Sequence, residues 1–322
     1  MTQAHGQLGS MKASTSVMSG GYPERSYGSA LRPTCTLDPD DQRIGRPLEQ
    51  EALNPSESAH ARLRRWAATM LAHRQGDDGI HHDTARARTL YQTSTMSALL
   101  DGIYDGSVTV AELLEHGDFG VGTFNHLDGE MVVNNGVCFH LFSNGEASVA
   151  SPDDLTPFAA VTTFEADTTF AVRSPTSRAE LVTQIDRQVS SENLFYGIRV
   201  SGHFATVSTR TAARQEAPYR PLPEATTDES ERTFPATGGV LVGFRTPDYE
   251  QGISVAGYHL HFLNDNHTAG GHAFDFLLDE GVVEISTVSE MRLSLPTSGP
   301  FLAADLHMRD MEADIRKSEG RT

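Results

Sequence analysis

The sequence predicts an α+β fold: two mixed or antiparallel β-sheet subdomains with a few flanking helices, preceded by a disordered N-terminal extension. Three observations carry this. Helical and strand-type patterns are interspersed without the regular alternation of a doubly wound or barrel fold. The dipeptides Asp128-Gly129, Asn135-Gly136 and Asn144-Gly145 call for left-handed turn residues and separate short apolar runs, the layout of a β-meander. Residues 1 to about 55 are rich in Gly, Ser, Pro, Thr and charge and have no sustained apolar period.

The chain divides into an extension over 1–86, a subdomain over 87–217 and a β-rich, metal-binding subdomain over 218–322. Within the extension, Leu63, Trp66, Met70 and Leu71 share one helical face amid Arg62, Arg64, Arg65 and Arg74. That amphipathic helix over 57–75 reads as docked on its own core, with a membrane or partner surface as the alternative. Gln75 to Gly79 reads as a linker. Next, Met96, Leu99, Leu100, Ile103 and Tyr104 follow helical spacing, with Gly106 as a stop. Thr109 with Glu112, and Ser177 with Glu180, are capping boxes that open two further helices, the second burying Leu181, Ile185 and Val189. Strand-like runs occupy 194–200 and 203–209. A Pro-rich crossing from Pro218 to Pro235 leads to strands at 238–244, 253–263, 272–278 and 282–286, and a helix-like segment, Leu302 to Lys317, closes the chain.

Composition narrows the function classes. With 25 Lys and Arg against 43 Asp and Glu, the formal charge of −18 argues against nucleic acid as a partner, because binding phosphates needs clustered cations. No secretory apolar region or membrane-length run is evident, so a cytoplasmic protein is expected. The two cysteines, Cys35 and Cys138, are far apart and read as idle thiols.

The strongest chemical signal is Gly257-Tyr258-His259-Leu260-His261-Phe262-Leu263, followed by Gly270-Gly271-His272. Alternate residues of a strand share a face, so His259 and His261 point together while Tyr258, Leu260 and Phe262 point away. A polar hairpin loop ending in two glycines returns His272 beside them. Three neutral imidazoles on paired strands suit Zn²⁺ with positions left for substrate, although imidazole also suits iron, manganese and nickel. A lone strand histidine is ordinarily just packed. Two at alternate positions of an apolar strand are costly to bury without a common partner.

Further segments resemble the α-acetolactate decarboxylase family: Gln92 to Gly102, Gly122-Thr123-Phe124-Asn125, Leu127 to Met131, Leu194-Phe195-Tyr196, Thr209-Arg210-Thr211 and Gln215 to Leu222. They precede the His-x-His and Gly-Gly-His block in the family's order, from about residue 88 onward. The resemblance implies decarboxylation of (S)-2-acetolactate to (R)-acetoin and CO₂ with Zn²⁺ on His259, His261 and His272, no organic cofactor, and a homodimer. It implies Glu130 near metal and substrate, Arg210 as an active-site arginine, Glu319 as a second glutamate reaching the metal, and Thr123 lining the pocket. Read without it, Glu130 merely follows an Asp-Gly turn, Arg210 ends a strand and Glu319 is an exposed tail residue. A zinc-dependent ester hydrolase is the rival enzyme, since three histidines and a metal-bound water serve hydrolysis equally well. A non-catalytic metal-binding module is the rival of another class.

Overall fold

The computed structural model describes residues 88–297 and 299–306. The 57–75 helix, the 75–79 linker, Glu319 and most of the closing 302–317 segment lie outside these residues. Fifteen strands are described: β1 Thr89–Thr93, β2 Val108–Thr109, β3 Phe119–Thr123, β4 Glu130–Asn134, β5 Val137–Leu141, β6 Ala147–Val149, β7 Leu155–Thr156, β8 Phe158–Thr162, β9 Thr168–Val172, β10 Thr176–Ser177, β11 Phe195–Thr211, β12 Ser230–Thr246, β13 Gly257–Asn264, β14 Gly270–Val288 and β15 Glu290–Ser294. Short helices cover Met96–Leu100, Val110–Leu114, Arg178–Asp186, Leu222–Ala225 and Gly299–Ala303.

The strands form two large sheets. One is seven-stranded in the order β15-β1-β8-β3-β4-β5-β6, with β1 and β15 parallel and the other pairs antiparallel. The other runs β10-β14-β11-β12-β13, with β9 also on β14. β13 and β14 pair over three residues, which closes the second sheet on itself at that end. Leu90, Phe119, Val121, Val132, Phe139 and Leu141 of the first sheet pack on Phe195, Val242, Phe244, Leu263 and Val288 of the second. Each such side chain, fully buried, contributes about 1.5–3 kcal/mol. The helix Arg178–Asp186 covers the second sheet through Leu181 and Ile185.

Several boundaries differ from the sequence expectations, each for a local reason. The strands pass from the first sheet to the second between Thr162 and Thr168, β11 runs between β12 and β14, and β15 returns to the first sheet. The runs at 194–200 and 203–209 are one strand, β11, whose register shifts near His203 to Thr206 while pairing continues. The first helix stops at Leu100, not beyond Tyr104. Gly102 adopts φ +85, its N–H reaches the Leu99 carbonyl and that of Ile103 reaches Ala98, a Schellman close. The Pro-rich crossing ends at Glu229, and Pro235 lies inside β12. β13 pairs only with Gly239–Thr246, so Pro235 sits where β12 has β11 alone beside it, the edge position that a strand proline tolerates.

Both capping boxes are present, Thr109 with Glu112 and Ser177 with Glu180. Asn135 and Gly136 take φ +52 and +75, the two-residue hairpin between β4 and β5. The Asp128-Gly129 turn behaves otherwise. Asp128 stays at φ −83, and His126, Leu127 and Gly129 take the left-handed positions at +66, +53 and +78.

Candidate metal centre and active site

The histidines are assembled by strand register. His261 lies opposite His272 on the β13–β14 ladder, and His259 follows on the same face of β13, two residues away. One ring nitrogen from each lies within 4.8 Å of the others, and the Nε2 atoms of His259 and His261 are 3.0 Å apart. The glycines before His272 permit the close strand approach. A Cβ on Gly270 would meet the Phe262 carbonyl at 2.1 Å, and one on Gly271 the Thr211 hydroxyl at 2.6 Å.

These residues fit a metal ion. His261 is fully buried and His272 is 6% exposed, and the three ring centroids lie 4.8, 5.1 and 5.4 Å apart. Burial pushes His259 down to about 4, helped by the Arg210 charge, and burial and the His259 charge push His261 well below its ordinary value. Both imidazoles are therefore neutral near pH 7, with lone pairs to offer. His261 Nδ1–H donates to the Met131 carbonyl at 2.8 Å, which fixes the ring and leaves Nε2 as the atom that could hold a metal.

The two sheets bring further groups to the same point. Glu130 opens β4 in the first sheet, and its Oε2 lies 3.6 Å from His261 Nε2 in the second. Arg210 lies directly opposite His272 on β11 and β14. Its Nε is 3.4 Å from a Glu229 oxygen, both side chains being largely buried, while its Nη2 is buried with no hydrogen-bond partner among the described residues. Thr123 is opposite Glu130 on β3, 4% exposed, and donates its hydroxyl to the Gly129 carbonyl at 2.6 Å. It thus braces the turn that leads into Glu130. Beside His259 a small cavity is lined by Leu90, Val121, Phe158, Phe244 and Val255, with Gln92, Thr246 and Ser254 among its polar members. Gln92 Nε2 donates to the Ile253 carbonyl, and the Ser254 hydroxyl donates to Gln92 Oε1.

Four of these contributors escaped the sequence reading in any specific role: the Met131 carbonyl, Glu229, Gln92 and Ser254. A backbone carbonyl leaves no mark in the residue pattern, and Glu229 sits in an irregular acidic stretch. Gln92 had the only available signal, as the first residue of the Gln-Thr-Ser-Thr segment.

Comparison with known proteins identifies the family. The family model for alpha-acetolactate decarboxylase matches residues 90–308. The alpha-acetolactate decarboxylase of Klebsiella aerogenes is 44% identical over 230 residues, covering 71% of this chain and 88% of its own. That of Bacillus subtilis strain 168 is 42% identical over 231 residues, covering 72% and 91%. The crystal structure of the latter superposes with a TM-score of 0.71, covering 72% of this chain and 100% of that one. A Staphylococcus aureus structure described as similar to alpha-acetolactate decarboxylase gives 0.69 at 33% identity, covering 72% of this chain and 100% of its own. With the family model spanning most of the chain, and relatives above 40% identity matched over most of their length, this chain belongs to the alpha-acetolactate decarboxylases, a family of carboxy-lyases.

Proposed function

We propose that the chain converts (S)-2-acetolactate to (R)-acetoin and CO₂, using Zn²⁺ on His259, His261 and His272. The observation that carries this is the convergence of Arg210, the Glu130 carboxyl and three imidazoles from two sheets. When bound, the metal supplies Lewis-acid stabilisation for the negative charge that develops on the ketone oxygen.

The chain's own residues do the rest. The guanidinium of Arg210 binds the substrate carboxylate through charge-assisted hydrogen bonds, and its unpartnered Nη2 is the donor this requires. Glu229 holds Nε and keeps the guanidinium plane oriented, so the bond to be broken is aligned with the ketone. As that bond breaks, its electron pair enters the neighbouring carbonyl and CO₂ leaves. A proton from a glutamic acid then bonds to the carbon that lost CO₂, which restores the ketone and gives acetoin. Glu130 is the donor we favour, because its carboxyl lies among the histidines. Glu319 is the second carboxyl implied by the family resemblance. Leu90, Phe158, Phe244 and Val255 line the small cavity beside His259 and make that flank of the histidines apolar.

The test is release of CO₂ and acetoin from racemic acetolactate by metal-loaded protein, with metal analysis and chiral separation of the product. Chelation is expected to abolish turnover and added zinc to restore it. A folded, metal-loaded enzyme that makes no acetoin overturns the reading. Comparing Glu130→Gln with Glu319→Gln decides which carboxyl delivers the proton.

A further inference from the structure

The turn that delivers Glu130 is held from outside the site. His126, Leu127 and Gly129 all take positive φ, although only glycine adopts this region without penalty. Such a backbone persists where surrounding contacts over-determine it, and the contacts here are specific. The His126 N–H donates to the Tyr104 carbonyl at 2.9 Å, and its carbonyl accepts the Gln215 N–H at 2.7 Å. His126 Nδ1 is 2.6 Å from the Tyr219 hydroxyl, which itself donates to Asp105 Oδ1 at 2.7 Å. The consistent assignment has Nδ1–H donating to the phenol oxygen. Arg214 Nη1 donates to Asp128 Oδ2 at 3.1 Å. Tyr219 also packs edge-on against the buried Tyr104, whose hydroxyl donates to the Arg220 carbonyl.

Arg214, Gln215 and Tyr219 belong to the segment that follows β11, and Arg210 is the penultimate residue of β11. One strap therefore connects the turn before Glu130 to the chain just after Arg210, across the boundary between the two sheets. The regular ladders do not supply that link, because β4 and β11 belong to different sheets. Burial and the neighbouring Asp105 push the Tyr219 phenol up to about 12, so it stays a donor throughout the neutral range.

We infer that His126, Tyr219 and Asp105 form a positioning cluster that sets the Glu130 carboxyl relative to Arg210 during decarboxylation. The inference rests on the roles proposed above for Glu130 and Arg210. None of the three touches the histidines in this arrangement. They act through the backbone of the turn, and a displacement of about 1 Å at a reacting group can cost up to roughly a hundredfold in rate.

The test uses the metal-loaded full chain. Tyr219→Phe removes the hydroxyl alone. His126→Gly removes the imidazole yet accepts φ > 0, whereas His126→Asn accepts φ > 0 and keeps a polar atom at the δ position. Tyr219→Phe and His126→Gly are expected to lower kcat by roughly tenfold or more, with KM within about twofold, metal content unchanged and the enantiomeric purity of acetoin reduced. His126→Asn is expected to recover part of that loss, and the double variant Tyr219→Phe with His126→Gly to be no worse than the worse single, as for one shared network. Wild-type kcat and product handedness in both single variants overturn the inference, as does a kcat loss that merely follows a fall in Tm. Glu130→Gln and Arg210→Ala are run alongside. If they are inactive while the cluster variants are normal, the cluster inference alone fails. If Glu130→Gln turns over at the wild-type rate, the proposed role of Glu130 fails and the inference with it.

Discussion

His261 and His272 face each other across a regular antiparallel ladder, while Glu130 reaches the same point from a turn with three left-handed residues. The histidines are oriented by strand alternation, by the narrow passage at Gly270 and Gly271, and by one hydrogen bond to the Met131 carbonyl. Their positive-φ neighbours, Gly257 and Gly271, are glycines, and His259 and His261 are also held by the eight-residue pairing of β13 with β12. Glu130 depends instead on Thr123 within its own sheet and on Tyr219, Gln215 and Arg214 from another segment. The difference separates two demands. A metal ligand set needs fixed spacing, which register supplies. The proton donor proposed for Glu130 needs a distance to substrate, which turn contacts can adjust without moving the histidines.

Substitutions on the two sides should behave accordingly. The largest effect is expected at the ladder: His261→Ala should lose bound metal and reduce acetoin formation to background, read by elemental analysis beside the activity assay. Metal retained with normal turnover would contradict the ligand assignment. Arg210→Ala should keep the metal but remove two charge-assisted hydrogen bonds, lowering kcat/KM by about 2–4 kcal/mol, roughly 30- to 1,000-fold. Unchanged kinetics there would take Arg210 out of the mechanism. On the turn side, Thr123→Val leaves the buried Gly129 carbonyl without its hydroxyl donor, at a cost of about 1–3 kcal/mol in a denaturation experiment. It should also slow turnover with metal content intact, and a loss of metal would show that the turn and the ladder are not separable. The smallest effect is expected far from both, at Ser177→Ala, which removes a helix N-cap worth about 1 kcal/mol and should leave kcat unchanged. Hydrogen bonds from Ser177 hold the Glu180 carboxyl below its ordinary value. The stabilisation from that depressed carboxyl is present above the unfolded-state value and is lost as pH falls through the folded one, so its contribution fades only in acid.

How far local patterns reached depends on how local their causes are. Thr109 with Glu112 and Ser177 with Glu180 were legible because a capping box is complete within four residues. Asn135-Gly136 was legible because both turn residues take the backbone that the dipeptide favours. Asp128-Gly129 misled in part. The dipeptide does end the turn, but contacts to Tyr104, Gln215 and Tyr219 place His126 and Leu127 in the left-handed region instead of Asp128. Pro235 misled for a related reason, since a proline breaks a central strand but not a stretch with one neighbour. The change of sheet between Thr162 and Thr168 has no local mark, because hydropathy reports which residues are buried and not which strand they are buried against.

The same distinction divides the site. That His259 and His261 share a face follows from two-residue periodicity, and the Gly-Gly pair announces the return of His272, so a metal-binding set is readable from a short stretch of chain. The placement of Arg210 opposite His272 and of Glu130 3.6 Å from His261 arises from pairing and packing between segments many residues apart. Those contacts depend on which surfaces come together as the two sheets pack. No periodicity encodes that choice, because the free energy selecting it is summed over the whole core and not carried by any local run of residues.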